Sequence, residues 1–293
     1  VVDRVVQQAT AQVLNRIYEP LFSEHSYGFR PNRSCHQAIN QALDYLNAGY
    51  EWVVDFDIEK YFDTVNHDKL ISILREQVND SATLHLIRSF LKSGVMEGGL
   101  VSATTEGVPQ GGCISPILSN IYLDKLDKEL ESRELRFVRY ADDFDIFVKS
   151  ERSADRVMAS VSRWLETKLR LKVSATKTKV VRPTKSVFLG FTFWKSTRGW
   201  ECRPTDAAKK KMETKVKQIQ VRKKAAAQPM SYIFTKLNQV IRGWVNYYHI
   251  GSMATYLRDV FGPWMRHKVR VVIVKQWKKC STIYKNLLKI SCH

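Results

Sequence analysis

Tyr140-Ala141-Asp142-Asp143, set between Leu135-Arg136-Phe137-Val138-Arg139 and Phe144-Asp145-Ile146-Phe147-Val148, decides how this chain is read. The apolar flanks read as two strands and the tetrapeptide as the tip of a β-hairpin. Asp-Asp is a common turn dipeptide, so by itself the pair reads as a solvated turn. Two adjacent carboxylates are nevertheless costly to hold together unless a cation neutralises them.

A second strand-like run, Trp52-Val53-Val54-Asp55-Phe56-Asp57, also ends in carboxylate. Alternation points Asp55 and Asp57 to one face and Val54 and Phe56 to the other, buried side. If Asp57 converges with Asp142 and Asp143, the three make an oxygen-rich site suited to two Mg²⁺ ions, the equipment of nucleotidyl transfer.

The 293 residues, 44% hydrophobic and 26% charged, suffice for a globular core and two or more domains. No apolar run approaches a membrane span and no basic-then-apolar leader opens the chain, which predicts a cytoplasmic protein without a membrane partner. Cys35, Cys113, Cys202, Cys280 and Cys292 form no Cys-x-x-Cys pair and read as reduced packing residues. No histidine stands with a second His or Cys at ligand spacing, so His36 and His67 read as polar structural residues.

Charge is uneven. Residues 205–293 carry nineteen Lys and Arg against three Asp and Glu, a net +16 of the chain's +18. Trp244, Tyr247, Tyr248, Trp264 and Trp277 are interleaved with it. Lysines scattered on a helix are usually a solvated face, but this density with aromatics predicts phosphate binding with stacking, through Lys215, Arg222, Lys223, Lys224, Arg242, Trp244 and Tyr247.

Periodicity predicts a helix over 1–22 with Val2, Val6, Ala9, Val13 and Ile17 near one face. A capping box at Ser34-Cys35-His36-Gln37 opens a second helix running to about Gly49. Helices are expected at 66–79 and 82–93, then a hairpin around Glu97-Gly98-Gly99. Ser115-Pro116 predicts an N-cap and first-turn proline for a helix to about Ser132. A helix at 153–169 and strands near 178–182, 187–194 and 200–203 follow, with helices beyond Thr205. The charge jump there marks a domain boundary.

Taken in order, these residues resemble the reverse transcriptases encoded by group II introns. Tyr27-Gly28-Phe29-Arg30-Pro31-Asn32-Arg33-Ser34 with Ala38 is similar to one block of that family, and Asp57-Ile58-Glu59-Lys60-Tyr61-Phe62-Asp63 to its first catalytic block. Gly107-Val108-Pro109-Gln110-Gly111-Gly112 with Ser115 to Asn120 is similar to the block that contacts template and nucleotide. Tyr140 to Asp143 is similar to the second catalytic block, Leu171 to Lys179 and Phe188-Leu189-Gly190-Phe191 to later palm blocks, the second being the primer grip. Ile241-Arg242-Gly243-Trp244-Val245-Asn246-Tyr247-Tyr248 is similar to the start of the maturase-specific thumb.

The resemblance implies an α+β right-hand polymerase: partial fingers over 1–50, a palm with an antiparallel sheet over 51–204, and an all-helical thumb or maturase domain over 205–293. It implies an RNA-directed DNA polymerase acting on a primer 3′-hydroxyl with two Mg²⁺, or Mn²⁺, held by Asp57, Asp142, Asp143 and the Ile58 carbonyl. Asp143 is the ligand that alternation leaves open, since adjacent residues point apart and it could orient instead. Lys177 would protonate pyrophosphate, unless it is an exposed connector lysine. Phe62 would be the steric gate against a 2′-hydroxyl, unless it is ordinary core.

Gln110, with Pro109 and Gly111, would meet the nascent base pair or nucleotide. Arg30 and Arg33 would contact template backbone or triphosphate, unless Arg30 anchors the Tyr27-Gly28-Phe29 turn; Leu189 and Gly190 would touch the primer. Implied partners are group II intron RNA, an RNA template with a DNA or RNA primer, dNTP, and a second copy in a homodimer. The alternative function is a maturase that aids splicing by RNA binding alone. An RNA-dependent RNA polymerase palm is disfavoured by Phe62. Because the chain begins at Val1 inside a family block and stops at His293, it is expected to be a fragment lacking finger blocks and the DNA-binding and endonuclease parts.

Overall fold

The computed structural model describes residues 2–92, 95–97, 100–102, 106–109, 111–220 and 225–291. In chain order the elements are α1 (Val2–Tyr18), α2 (Cys35–Asn47), β1 (Trp52–Phe56), a single turn α3 (Tyr61–Thr64), α4 (His67–Leu74), α5 (Ser81–Lys92), β2 (Val95–Glu97), β3 (Leu100–Ser102), α6 (Ser115–Ser132), β4 (Arg136–Tyr140), β5 (Asp143–Val148) and α7 (Glu151–Trp164). Then come β6 (Lys179–Val181), β7 (Phe191–Ser196), β8 (Gly199–Pro204), α8 (Asp206–Ile219), α9 (Met230–Tyr248), α10 (Gly262–Trp277) and α11 (Cys280–Ser291).

The first compact unit, residues 1–189 with Arg198–Trp200, is built on an antiparallel sheet in the order β4-β5-β1-β6. Trp52 faces Val148 and Asp55 faces Asp145 across β1 and β5, and Asp55 faces Lys179 on β6. Val53 and Val54 point to opposite faces, yet both are fully buried. Both sides of the sheet are therefore covered, where alternation alone predicts one. Phe56 and Phe144 stack face to face, with centroids 4.8 Å apart, at the centre of the core.

Local signals account for many of the helix ends. The Ser34 side chain accepts from the Gln37 amide while Gln37 reaches back to the Ser34 amide, the predicted capping box. Ser115 differs from the expectation: the cap position falls on Ile114, whose backbone is already helical, and the Ser115 hydroxyl instead donates to the Pro109 carbonyl at 2.6 Å.

The face that α1 buries is also not the expected one. Gln7, Ala11, Leu14 and Tyr18 turn inward, whereas Val2 is 75% and Val13 59% exposed. The larger Leu14 and Tyr18 fill the core, and the Tyr18 hydroxyl donates to the Leu74 carbonyl at 3.1 Å.

The second unit comprises 190–197 and 201–293. The strands expected to close the first domain, β7 and β8, thus belong mostly to this unit. Thr205 caps α8, accepting from the Ala208 amide at 3.2 Å. Met212, Val216, Ala225, Ile233, Leu237, Phe261 and Val272 form its core. No helix of the described residues is long and apolar enough to cross a membrane.

Candidate active site

The β1–β5 register brings the acidic residues together. Asp55 and Asp145 are direct cross-strand partners, so alternation sets Asp57 and Asp143 on the same face, one step further along. Asp55, Asp57, Asp142 and Asp143 line one cavity of about 590 Å³, together with the Ile58, Lys177 and Lys179 positions.

Crowding leaves an electrostatic signature. The Asp143 carboxyl is pushed up to about 7, first by burial and then by the charges of Asp55, Asp142 and Asp57. Burial also raises Asp55, partly offset by Lys179 at 3.2 Å, and raises Asp145, which is fully buried and accepts from Ser186 at 3.3 Å. A divalent cation would relieve this mutual repulsion, so the donor set suits one. Among the described residues no three His, Cys, Asp or Glu side chains are yet close enough to grip an ion, and the Lys177 ammonium donates to both Asp57 oxygens at 3.1 and 3.2 Å.

The tip carrying Asp142 is held from below by residues that the sequence reading missed. Tyr140 pairs with Asp143, leaving Ala141 and Asp142 as a two-residue turn in which Ala141 has a positive φ of 59°. Such a backbone persists in a non-glycine residue only where its surroundings enforce it. The buried Arg139 guanidinium donates to the Ala141 carbonyl at 2.8 Å and to Asp127 at 2.5 and 2.7 Å. It also donates to Asn120 Oδ1 at 3.1 Å, and the Asn120 amide donates to the Gly28 carbonyl at 2.8 Å.

Gly28 lies directly under the turn: a Cβ there would come within 2.2 Å of the Ala141 nitrogen. A signal for this network was present in the polar stripe Asn120, Asp124, Asp127, spaced four and three along a helix whose other buried residues are mostly apolar.

The other predicted residues divide. Ile58 is a buried side chain whose backbone bridges to Val173. Phe62 packs half-buried against the core, edge-on to Tyr61 at 5.3 Å, and its carbonyl accepts from the Val108 amide at 2.6 Å. This clips the gate candidate to the segment that holds Pro109. Gly107 sits there with φ 93°, where a Cβ would come within 3.0 Å of the Phe62 and Asp63 carbonyls. Gly111 has φ 80° and open space around it. Gln110 lies outside the described residues, as do Arg222, Lys223 and Lys224.

Arg30 does not line the cavity. Its buried guanidinium donates to Glu19 at 3.0 Å and to the Ser23 and Ser26 carbonyls at 2.5 and 2.9 Å, the anchoring alternative. Arg33 pairs with Glu24 and lies over the Tyr27 ring. Leu189 ends the first unit with φ 51°.

In the second unit, Gly190 has φ 80° and a Cβ there would meet the Tyr248 hydroxyl at 2.6 Å. Lys215 and Arg242 are exposed, and Lys215, Trp244 and Tyr247 line a cavity between α8 and α9.

Comparison with known proteins fits this geometry. Residues 1–193 match the family model for reverse transcriptase (RNA-dependent DNA polymerase), and residues 209–290 match the group II intron maturase-specific domain. Protein YkfC of Escherichia coli (strain K12) is 34% identical over 227 residues, covering 64% of this chain and 60% of that protein. The group II intron-encoded protein LtrA of Lactococcus lactis subsp. cremoris is 40% identical over 137 residues, covering 47% of this chain and 23% of that protein.

In fold, the chain is similar to apo telomerase from Candida tropicalis, with a TM-score of 0.55 at 13% identity over 93% of this chain and 54% of that one. From the paired acidic strands to its C-terminal helices, the chain belongs to the reverse transcriptase family, in the form that carries a group II intron maturase-specific domain.

Proposed function

We propose that the chain carries the polymerase centre of a group II intron reverse transcriptase, extending a primer 3′-hydroxyl on an RNA template with dNTPs. The observation that carries this reading is the single cavity shared by Asp57, Asp142 and Asp143, with the Asp143 carboxyl pushed up to about 7 by burial first and by its acidic neighbours second.

Asp57, Asp142, Asp143 and the Ile58 carbonyl are the groups that would hold Mg²⁺. When bound, the ions would lower the pKa of the primer hydroxyl and balance the charge of the triphosphate and departing pyrophosphate. Asp55 lines the same cavity and Asp145 lies opposite it across the sheet, both with carboxyls that burial pushes up towards the neutral form. Lys177 lines the same cavity beside Asp57, from where its side chain can serve the leaving pyrophosphate. The Phe62 ring, edge-on to Tyr61 and with its backbone carbonyl tied to the Val108 amide, would stand beneath the incoming sugar and exclude a 2′-hydroxyl.

The basic helical unit would hold RNA through its backbone and 2′-hydroxyls, as an enzyme that copies any sequence requires. The maturase-specific match over residues 209–290 favours a second role in assisting intron splicing.

Primer extension on an RNA template with dNTPs and Mg²⁺, beside a splicing assay with the cognate intron, tests both. Asp142→Asn with Asp143→Asn should abolish extension and leave splicing assistance intact. Equal loss of both would make the carboxylates structural and overturn the polymerase reading.

A further inference from the structure

The cavity between α8 and α9 has a shape that general phosphate binding leaves unexplained. It measures about 460 Å³, within the range of pockets that enclose a small ligand. Lys211 and Lys215 line it from α8, and Val240, Gly243, Trp244 and Tyr247 from α9, each set at the spacing of one helical face. Among the described residues no acidic side chain lines it: Glu213 on α8 instead accepts from the Tyr256 hydroxyl at 3.0 Å.

Gly243 is the telling residue. It stands within a 19-residue helix, where glycine is destabilising, and its φ is not positive, so no left-handed turn calls for it. A Cβ built there meets nothing within 4 Å. What the missing side chain leaves is room. Trp244 is already held beside that space, its ring 4.8 Å from Tyr248 and 6.1 Å from Tyr256. Its indole N–H is shielded from solvent and finds no acceptor among the described residues, so the ring meets the cavity through its carbon surface rather than through that donor.

We propose that this cavity takes one unpaired nucleotide of an RNA strand, its base against Trp244 and its phosphate between Lys211 and Lys215. The inference rests on RNA as the partner of the helical unit and adds a preference that backbone binding lacks. A paired duplex is too wide for the cavity and would meet only the exposed lysines. A base extruded from the helix has an open π-face for the indole, and its phosphate answers the two ammonium groups.

The test uses the full chain and two RNA hairpins that differ only by one bulged 2-aminopurine. The bulged hairpin should bind about tenfold more tightly, the scale of a single base–aromatic stack, and its fluorescence should change on binding. Gly243→Leu, which fills the cavity and strengthens the helix, should abolish the preference, keep the affinity for the paired hairpin and melt no lower than the parent protein. Should Gly243→Leu misfold, Lys211→Gln with Lys215→Gln, both exposed, should likewise reduce the preference.

Equal affinity for the two hairpins, or a preference that survives both variants, overturns the inference. So does displacement of the bulged hairpin by AMP as readily as by competitor RNA, since that marks a mononucleotide site. Primer extension on the same preparation separates the two readings. Extension without bulge preference removes only the cavity assignment, whereas absence of all RNA binding removes the RNA reading itself.

Discussion

The Asp127 carboxylate takes both arms of the Arg139 guanidinium, at 2.5 and 2.7 Å, with neither side chain exposed to solvent. Each charge is desolvated and each depends on the other. Removing one partner leaves the other buried and unpaired, so Asp127→Ala should lower the unfolding free energy by about 3–5 kcal/mol. Urea denaturation measures this directly; a loss under about 1 kcal/mol would mean that water or another acid takes over the guanidinium.

Gly28 tests the link from that network to the site. Gly28→Ala places a methyl 2.2 Å from the Ala141 nitrogen, so the hairpin tip must move. The expected cost is about 1–3 kcal/mol of stability, with primer extension falling more steeply than stability as Asp142 is displaced. Wild-type extension rates in a folded Gly28→Ala protein would show that the tip tolerates the shift.

His25 gives a pH dependence. Burial holds its imidazole below the usual 6.5, against the raising effect of Glu131 and Asp127; its Nδ1 lies 3.1 Å from the Tyr45 hydroxyl. A folded value below the unfolded one means the unfolded chain binds the extra proton. The stability it contributes is complete above 6.5 and is lost as pH falls through the folded value. The urea midpoint should therefore decline on acidification below 6.5, and His25→Gln should flatten that part of the curve. An unchanged slope in the variant would exclude His25 as the titrating group.

Lys177 separates proton donation from charge pairing. Lys177→Ala should slow extension by about 10²–10⁴-fold if the ammonium serves the leaving group. If it only neutralises Asp57, the maximal rate should hold and the Mg²⁺ dependence alone should change. Single-turnover kinetics across a Mg²⁺ titration tell these apart.

Phe62→Ala should admit ribonucleotides. The ratio of kcat/KM for dNTP over rNTP should drop by about 10–200-fold, the range a steric contact in a pocket commands. A ratio that stays constant would return Phe62 to the role of a core residue, which its packing against Tyr61 also suits.

Much of this arrangement was legible in the sequence because its signals are local. Alternation gave β1, β4 and β5, turn chemistry gave the hairpin at Ala141-Asp142, and Ser34 with Gln37 gave the start of α2. The basic, aromatic segment beyond Thr205 marked the helical unit. What escaped depends on distant contacts. Arg139 reads as one more strand residue until Asp127 and Asn120, on a helix that precedes it, are brought beneath it. Asp145 reads as a polar break in a buried strand until register sets it opposite Asp55. On α1 the apolar spacing chose the wrong face, because the volumes of Leu14 and Tyr18 outweighed the count of valines.

The turn at Ala141 has one more consequence. Its carbonyl, its neighbour Gly28 and its guanidinium brace are tied to a single long helix, so the acidic tip moves only if that helix moves. In the proposed polymerase, a tip fixed to that helix would leave the growing hybrid to do the travelling. Step size would then belong to the strand being made, with the protein acting as a fixed anvil.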